Sequence, residues 1–413
     1  MNSVMEQVVR ESQWRGGTRR AVVIGHPFMG RGGSEAAVMW LIEALKQHCD
    51  LTVATTGGWQ LEELNSFYGT NVGKDEVEIR IAPVPFLPPS VSGAAYRGAC
   101  YQRFARKIAA EYDLRISAYN PTDWGLPAIH FIADFSWHQE TRERLHPPAP
   151  GFVYRDSVLR KAYLKICAAV QNPSRRDVLR EDLLRANSHW SANLIRDTFG
   201  VECTTVIYPP VWTEFPSVAW EDKEEAFVMI GRIAPEKQIE RAIQILEAVR
   251  EHGHAIRLHL CGAIHDDEYS RLIARLCKER SDWIVVEGEV SGTKKADLLA
   301  NCRFGIQARG AEPFGISVAE MVKAGAIVFA PDNGGQAEIL ERSELLFADT
   351  GEASEKILAL LEAPTLQTEL RAHLAARAAH FNAENFMREA RACVLDATFA
   401  DQTAPTKAMS RRS

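Results

Sequence analysis

No run of about 18 or more apolar residues occurs anywhere in the 413-residue chain, which argues against a membrane-spanning helix. No Cys-x-x-Cys occurs either. The eight cysteines (49, 100, 167, 203, 261, 277, 302 and 393) are scattered, mostly among apolar neighbours, as buried thiols of a reducing compartment are, so neither a zinc site nor a disulfide framework is expected. Basic excess is also missing: 48 Lys and Arg against 54 Asp and Glu leave a formal charge of -6, which gives no support to nucleic-acid binding. The first twenty residues carry Glu6, Arg10, Glu11 and Arg15 and lack the apolar core of a signal peptide. A cytoplasmic protein is expected. There is no Asp-x-Asp to hold a divalent metal in a loop, and the first glycine-rich turn does not follow the Gly-x-Gly-x-x-Gly order. The strand after that turn ends in Thr55-Thr56-Gly57 rather than in an acid, which weakens a dehydrogenase reading.

What is present is ordinary globular material, 46% hydrophobic and 25% charged, in a chain long enough for two cores. Apolar strands alternate with helical periodicity from Arg20-Ala-Val-Val-Ile-Gly25 onward, and a second such series starts at Ala226-Phe-Val-Met-Ile-Gly231. Between them, the stretch with Pro209, Pro210 and Pro216 reads as a linker. The expected organisation is an extension over 1–19, an αβ domain over 20–208, a linker over 209–222 and a second αβ domain over 223–385. A helix over 386–400 is expected to cross back to the first domain, and a polar tail over 401–413 to be disordered. Two doubly wound Rossmann-like domains facing each other across a cleft are the simplest α/β architecture for this order.

The chemistry concentrates in Gly310-Ala-Glu-Pro-Phe-Gly-Ile-Ser-Val-Ala-Glu320. Pro313 and Gly315 disfavour helix before Ile316, whereas the residues after it suit one, so the amides near Phe314 to Ser317 should be unpaired donors at a positive helix end. Such an end binds phosphate. Glu312 in the loop and Glu320 inside the helix would then hold hydroxyls on either side of the phosphates. In Gly231-Arg-Ile-Ala-Pro-Glu-Lys237, Arg232 offers a planar fork and Lys237 a mobile point charge for phosphate oxygens, again after a strand of the same expected sheet. His26-Pro-Phe-Met-Gly-Arg-Gly-Gly-Ser-Glu35 follows the first strand, where its glycines can bring backbone amides close to an anion or form a plain tight turn.

Taken together, Gly-Arg-x-x-x-x-Lys237, Cys261-Gly262, Glu312-x7-Glu320 around Phe314-Gly315, and Gly334-Gly335-x-x-Glu338 resemble the retaining glycosyltransferases of family four, which have the GT-B fold. Gly32-Gly33-Ser34-Glu35, Ala186-Asn-Ser-His-Trp190 and Tyr208-Pro-Pro-Val211 are similar to short motifs of the dolichol-linked α-1,2-mannosyltransferase subgroup. The resemblance implies that Arg232 and Lys237 neutralise the diphosphate of a UDP- or GDP-linked sugar, with amides of Phe314, Gly315 and Ile316 supporting phosphate and sugar. It implies Glu312 on sugar hydroxyls, Glu320 on the ribose, Val290 beside the base, and Gly32 and Gly33 approaching the phosphate from the other domain. It also implies no metal and no cofactor beyond the donor itself, because fixed cations and helix dipoles stabilise the leaving diphosphate.

The catalytic group of the first domain is sought in Ile129-His-Phe-Ile-Ala-Asp-Phe-Ser-Trp-His138. His130, Asp134 and His138 are the candidates; Asp134 is favoured because it stands at the strand end. The expected activity is transfer of a hexose to a hydroxyl acceptor. An epimerase or phosphorylase on the same fold, and a non-catalytic sugar-nucleotide or glycan-binding partner of another transferase, remain alternatives. Peripheral contact with the inner face of a membrane is open: the stretch from Tyr96 to Tyr112 sets Arg97, Arg103, Arg106 and Lys107 beside Tyr101, Phe104 and Ile108.

Overall fold

The computed structural model describes residues 19–87, 93–145, 158–203, 205–263 and 267–397. The extension, all but its last residue, and the tail over 401–413 lie outside the described residues.

The first half runs β1 (Arg20–Gly25), α1 (Gly33–Leu45), β2 (Cys49–Thr55), α2 (Leu61–Tyr68), β3 (Val77–Ile81), α3 (Ala94–Ile108), β4 (Leu114–Ser117) and β5 (Ile129–Ile132). Then come α4 (Gln139–Leu145), α5 (Val158–Gln171), the single turn α6 (Val178–Glu181), β6 (Leu183–Ala186), α7 (His189–Phe199) and β7 (Thr205–Val206). Its strands form one sheet in the order β3-β2-β1-β4-β5-β6-β7, with every pair parallel. Helices cover both faces, which is why β1 reads as an unbroken apolar run: Val22, Val23 and Ile24 are all fully buried. The second half runs β8 (Glu224–Ile230), α8 (Ile239–Glu251), β9 (Arg257–Cys261), α9 (Glu268–Glu279), β10 (Ile284–Gly288), α10 (Gly292–Asn301) and β11 (Cys302–Ile306). It continues with α11 (Ile316–Lys323), β12 (Ile327–Pro331), the short α12 (Gln336–Leu340), β13 (Leu346–Phe347), α13 (Thr350–Leu361), α14 (Pro364–Ala378) and α15 (Ala383–Leu395). Its sheet has the order β10-β9-β8-β11-β12-β13. Two doubly wound parallel sheets, each with its own core, face one another: this is the GT-B architecture. In both sheets the order reverses beside the first strand, β1 or β8, so the cleft lies outside the carboxyl ends of strands at two switch points.

Three local differences from the sequence reading have plain causes. The run Thr205–Val211 reads as a strand stopped by its two prolines; the paired part is shorter, Thr205–Val206, with one further bond from the Ile207 amide to the Ala186 carbonyl (2.9 Å), and Pro209 and Pro210 have no N–H to continue it. The sequence from Thr365 to Thr398 reads as a helical end longer than the second domain needs; its described part is two helices, broken before Asn382, whose side chain caps α15 by accepting from the Asn385 amide (2.7 Å). On α3, Tyr101 and Ile108 lie in the core and Arg106 pairs with Asp123 (2.9 Å), so this helix does not present the apolar face that its pattern suggested.

Helix α15 packs against α1: Phe386, Ala390 and Val394 enter the first core, and Arg391 donates to the Ala44 carbonyl (3.0 Å). Between the sheets, Val211 belongs to the second core while the next residue, Trp212, packs on the first and donates its indole N–H to the Phe67 carbonyl (3.2 Å). Seven cysteines are buried and Cys393 is half-buried; all eight thiols are unpaired. Among the described residues no helix is long and apolar enough to cross a membrane.

Candidate active site

A cavity of about 1060 Å³ opens between the two sheets. Its lining includes Gly32, Gly33, Asp134, Arg232, Lys237, Val290, Glu312, Phe314, Gly315, Ile316 and Glu320, so the fold brings every one of these positions to a single cleft.

On the second-domain wall, the turn after β8 is compressed. A side chain on Gly262 would meet the Gly231 carbonyl at 2.0 Å, so the Cys261-Gly262 turn needs glycine to let the two loops touch. This closeness delivers Lys237 to Glu312: Nζ lies 2.9 Å from Oε2, and Arg309 Nη1 reaches the same oxygen at 3.1 Å, with all three side chains largely buried. Arg232 stands differently. Its side chain is 72% exposed and meets Glu236 at 3.2 Å, a surface pair of small energetic weight that leaves the guanidinium mobile. Gly315 has φ 101°, a left-handed conformation that favours glycine, and α11 starts directly after it. The first intrahelical bond runs from the Ala319 amide to the Gly315 carbonyl (3.1 Å), so the amides of Ile316, Ser317 and Val318 precede it at the positive helix end. Glu320, one turn further, is 4% exposed, and meets Lys295 of α10 (2.5 Å) and Thr213 of the linker (3.1 Å).

On the first-domain wall, Asp134 is held by hydrogen bonds where the glutamates of the other wall are held by ion pairs. Asp134 is half-buried at the end of β5; its Oδ1 accepts from Asn120 Nδ2 (2.6 Å), the Ser136 amide (2.9 Å) and Ser136 Oγ (2.7 Å), and its Oδ2 lies 3.4 Å from the Tyr119 hydroxyl. Of the three candidates at this strand, Asp134 is the one in the cleft lining. His130 is fully buried away from it, paired with Asp182 at 2.8 Å, and His138 bonds Thr141 (2.7 Å) while packing against Trp137 and Phe199. His26, at the end of β1, lines the cleft beside Tyr119, with ring centroids 5.1 Å apart. Burial pushes its pKa down to about 3, and Nδ1 accepts from the Phe28 amide (3.2 Å), so the neutral ring carries its proton on Nε2. Burial also raises the Glu35 carboxyl, against a hydrogen bond from Ser34 (2.8 Å). The glycine loop before α1 is pinned by Tyr68, whose hydroxyl accepts from the Gly32 amide (2.7 Å). A side chain on Gly33 would meet Ile316 Cδ1 at 2.6 Å, so this glycine lets the two walls touch.

Several residues that hold the cleft's carboxylates were not singled out from the sequence. Arg309 stands three positions before Glu312, directly ahead of the Gly310–Glu320 segment. Lys295, Thr213, Tyr119 and Asn120 come from separate elements, and no local pattern marks them. Among the described residues no group of three or more His, Cys, Asp or Glu is placed to hold a metal ion.

Residues 210–381 match the model of "Glycosyl transferases group 1". A curated relative, the mouse GDP-Man:Man(3)GlcNAc(2)-PP-Dol alpha-1,2-mannosyltransferase, is 29% identical over 170 residues, which is 37% of this chain and 35% of that protein. The chain thus matches about a third of the length of that relative. Among solved structures, Anabaena Alr3699/HepE in complex with UDP and glucose aligns with a TM-score of 0.64 at 16% identity, covering 92% of this chain and 100% of that one. WaaG, a glycosyltransferase involved in lipopolysaccharide biosynthesis, aligns with 0.64 at 16%, covering 91% and 100%. At such identities these structures speak for the fold.

Proposed function

We propose that this protein is a retaining glycosyltransferase that moves a hexose from a UDP- or GDP-linked donor to a hydroxyl acceptor without a divalent metal. The observation that carries this reading is the meeting of Lys237 and Arg309 on Glu312 at the start of α11, where two buried cations and a helix N-terminus surround one place for a diphosphate. The match over 210–381 covers this same wall. The mouse relative's name carries GDP-mannose and the Anabaena title carries UDP and glucose, so both bases belong in the first assays.

In the proposed reaction the bond from the sugar's anomeric carbon to the diphosphate oxygen breaks, and a bond from that carbon to the acceptor oxygen forms on the same face. The acceptor's proton passes to the departing diphosphate oxygen. Negative charge therefore grows on the phosphates in the transition state. Lys237, Arg309, the mobile Arg232 and the amides of Gly315 and Ile316 stabilise it there, and preorganised donors of this kind are worth about 10²–10³ in rate each. Glu312, already gripped by both cations, hydrogen-bonds sugar hydroxyls; Glu320 holds the ribose; Asp134 orients the sugar from the opposite wall. The test is a thermal-shift panel of UDP, GDP, ADP and their sugar conjugates, with and without EDTA, on wild type and Lys237→Ala. A selective rise with one base, insensitive to EDTA and weakened in the variant, is expected. No rise with any nucleotide overturns the reading.

We also propose peripheral contact of the first domain with an anionic membrane. Helix α5 carries Lys161 and Lys165 and no acid, with Ile166 58% exposed beside the partly exposed Tyr163 and Leu164, and it packs on α3, whose Arg103 and Lys107 are exposed. Flotation with vesicles containing phosphatidylserine should carry the protein in low salt and lose it in high salt; no binding to such vesicles removes the proposal.

A further inference from the structure

The start of α7, in the first domain, is completed by the second. Four amides at a helix start have no partner within the helix. Here the first intrahelical bond runs from the Ala192 amide to the Ser188 carbonyl (3.0 Å), and before it His189 and Trp190 donate to the two oxygens of Glu338 (2.9 and 2.6 Å) while Ser191 donates to the Ser188 hydroxyl oxygen (3.0 Å). A carboxylate from the other domain thus accepts two of these three capping bonds and sits at the positive end of the helix dipole. Tyr208 adds a third donor to Glu338 (3.2 Å).

The same turn reaches into the donor loop. Ser188 and Ser191, both fully buried, point their hydroxyls at one acceptor, the Pro313 carbonyl, at 2.5 and 3.2 Å. Pro313 lies between Glu312 and Phe314. On the far side, the Gly335 amide donates to the Glu312 carbonyl (2.8 Å), and the Ala311 amide donates to the Asn333 carbonyl (2.9 Å). A side chain on Gly335 would meet the Pro313 carbonyl at 2.2 Å, so the Gly334-Gly335 turn is pressed against the loop it holds. Glu338 follows in the helix that this turn opens. The contacts close a ring: α7 to Glu338, Glu338 through its own backbone to Gly335, Gly335 to Glu312 and Pro313, and Pro313 back to α7.

We infer that Glu338, Ser188 and Ser191 are positioning residues that tie the domain joint to the geometry of the Glu312–Gly315 loop. This rests on the reading of that loop as the sugar-holding part of the site. None of the three residues lines the cleft, so they act through Pro313 and Glu312. The ring gives the two domains one shared element: when the joint loosens, the loop that would hold the sugar loosens with it, while Lys237, Arg232 and Glu320 are left in place.

Hydrogen exchange on the full chain without ligand tests this independently of any activity. The informative amides are Ala311, Ala319 and Gly335, which are bonded in the loop and its supports but receive nothing directly from the substituted side chains. Ser188→Ala and Glu338→Gln should each speed exchange at these three amides by about tenfold or more, as expected when a buried hydrogen-bonded group loses its partner, with the strands of both sheets unchanged. Glu338→Gln keeps the side chain's size while placing an N–H donor against a helix amide, so it separates hydrogen bonding from packing. A second readout is the split between ligands: in these variants the nucleoside diphosphate that shifts the wild type should keep its affinity within about twofold, while its sugar conjugate weakens about tenfold. Faster exchange confined to residues 189–192, or spread evenly over both domains, overturns the inference. So does equal weakening of both ligands.

Discussion

The carboxylates singled out on the second-domain wall are held by ion pairs and those on the first-domain wall by hydrogen bonds. Glu312 and Glu320 each touch a lysine, and Glu312 an arginine as well, whereas Asp134 is held by Asn120, Ser136 and Tyr119, and Glu35 by Ser34. The difference follows from what each wall would have to do. Cations poised beside a helix start suit a leaving group that gains negative charge, and their pairing with glutamates satisfies them while the site is empty. A carboxylate fixed by neutral donors keeps its orientation toward a sugar hydroxyl without competing for the phosphates.

The sharpest way to break this contrast is Lys237→Ala. It should lower kcat/KM about 10²–10³-fold, with most of the loss in kcat, because the charge it meets grows in the transition state. Steady-state kinetics with the selected donor decides it, and a loss confined to KM would make Lys237 an ordinary binding group. On the opposite wall, Asp134→Asn preserves size and removes charge, and should lower kcat about 10–100-fold with donor KM within about twofold. A change in donor KM as large as the change in kcat would erase the distinction between the walls.

The smallest expected effect concerns stability. Burial holds the pKa of folded His26 down at about 3, below the ordinary histidine value of 6.5, so between those values the unfolded chain binds the extra proton and stability rises with pH. This contribution is lost as pH falls through that window. His26→Gln removes it, and its melting temperature should therefore fall less steeply than that of the wild type from pH 6.5 to 4.5. Parallel slopes would show that His26 takes up its proton in the folded state.

How much of this was legible follows the same divide. The second wall is carried by contiguous segments, and proline, glycine and acid spacing in Gly310–Glu320 placed the helix start at Ile316, where it stands. Length, alternation and the proline-rich 209–222 stretch were enough for two parallel sheets, because strands covered on both faces read as apolar runs. The first wall is assembled from the ends of β1, β4 and β5, so Tyr119 and Asn120 meet Asp134 only through sheet order, which no local pattern encodes. For the same reason Glu338 and the start of α7, at Ala186–Trp190, could each be quoted as part of a motif while their pairing could not: they are 149 residues apart in sequence. The two histidines near Asp134 show the limit of residue type as a guide. His130 serves a buried pair with Asp182 and His138 a turn with Thr141.

The central claim is that Lys237, on the second wall, holds the donor's nucleotide and that Asp134, on the first, does not. Isothermal titration of the nucleoside diphosphate that stabilises the wild type, carried out on Lys237→Ala and on Asp134→Ala, tests it most directly. The account predicts that Lys237→Ala weakens binding about tenfold while Asp134→Ala leaves it within about twofold. Equal weakening in both, or weakening in Asp134→Ala alone, would contradict it.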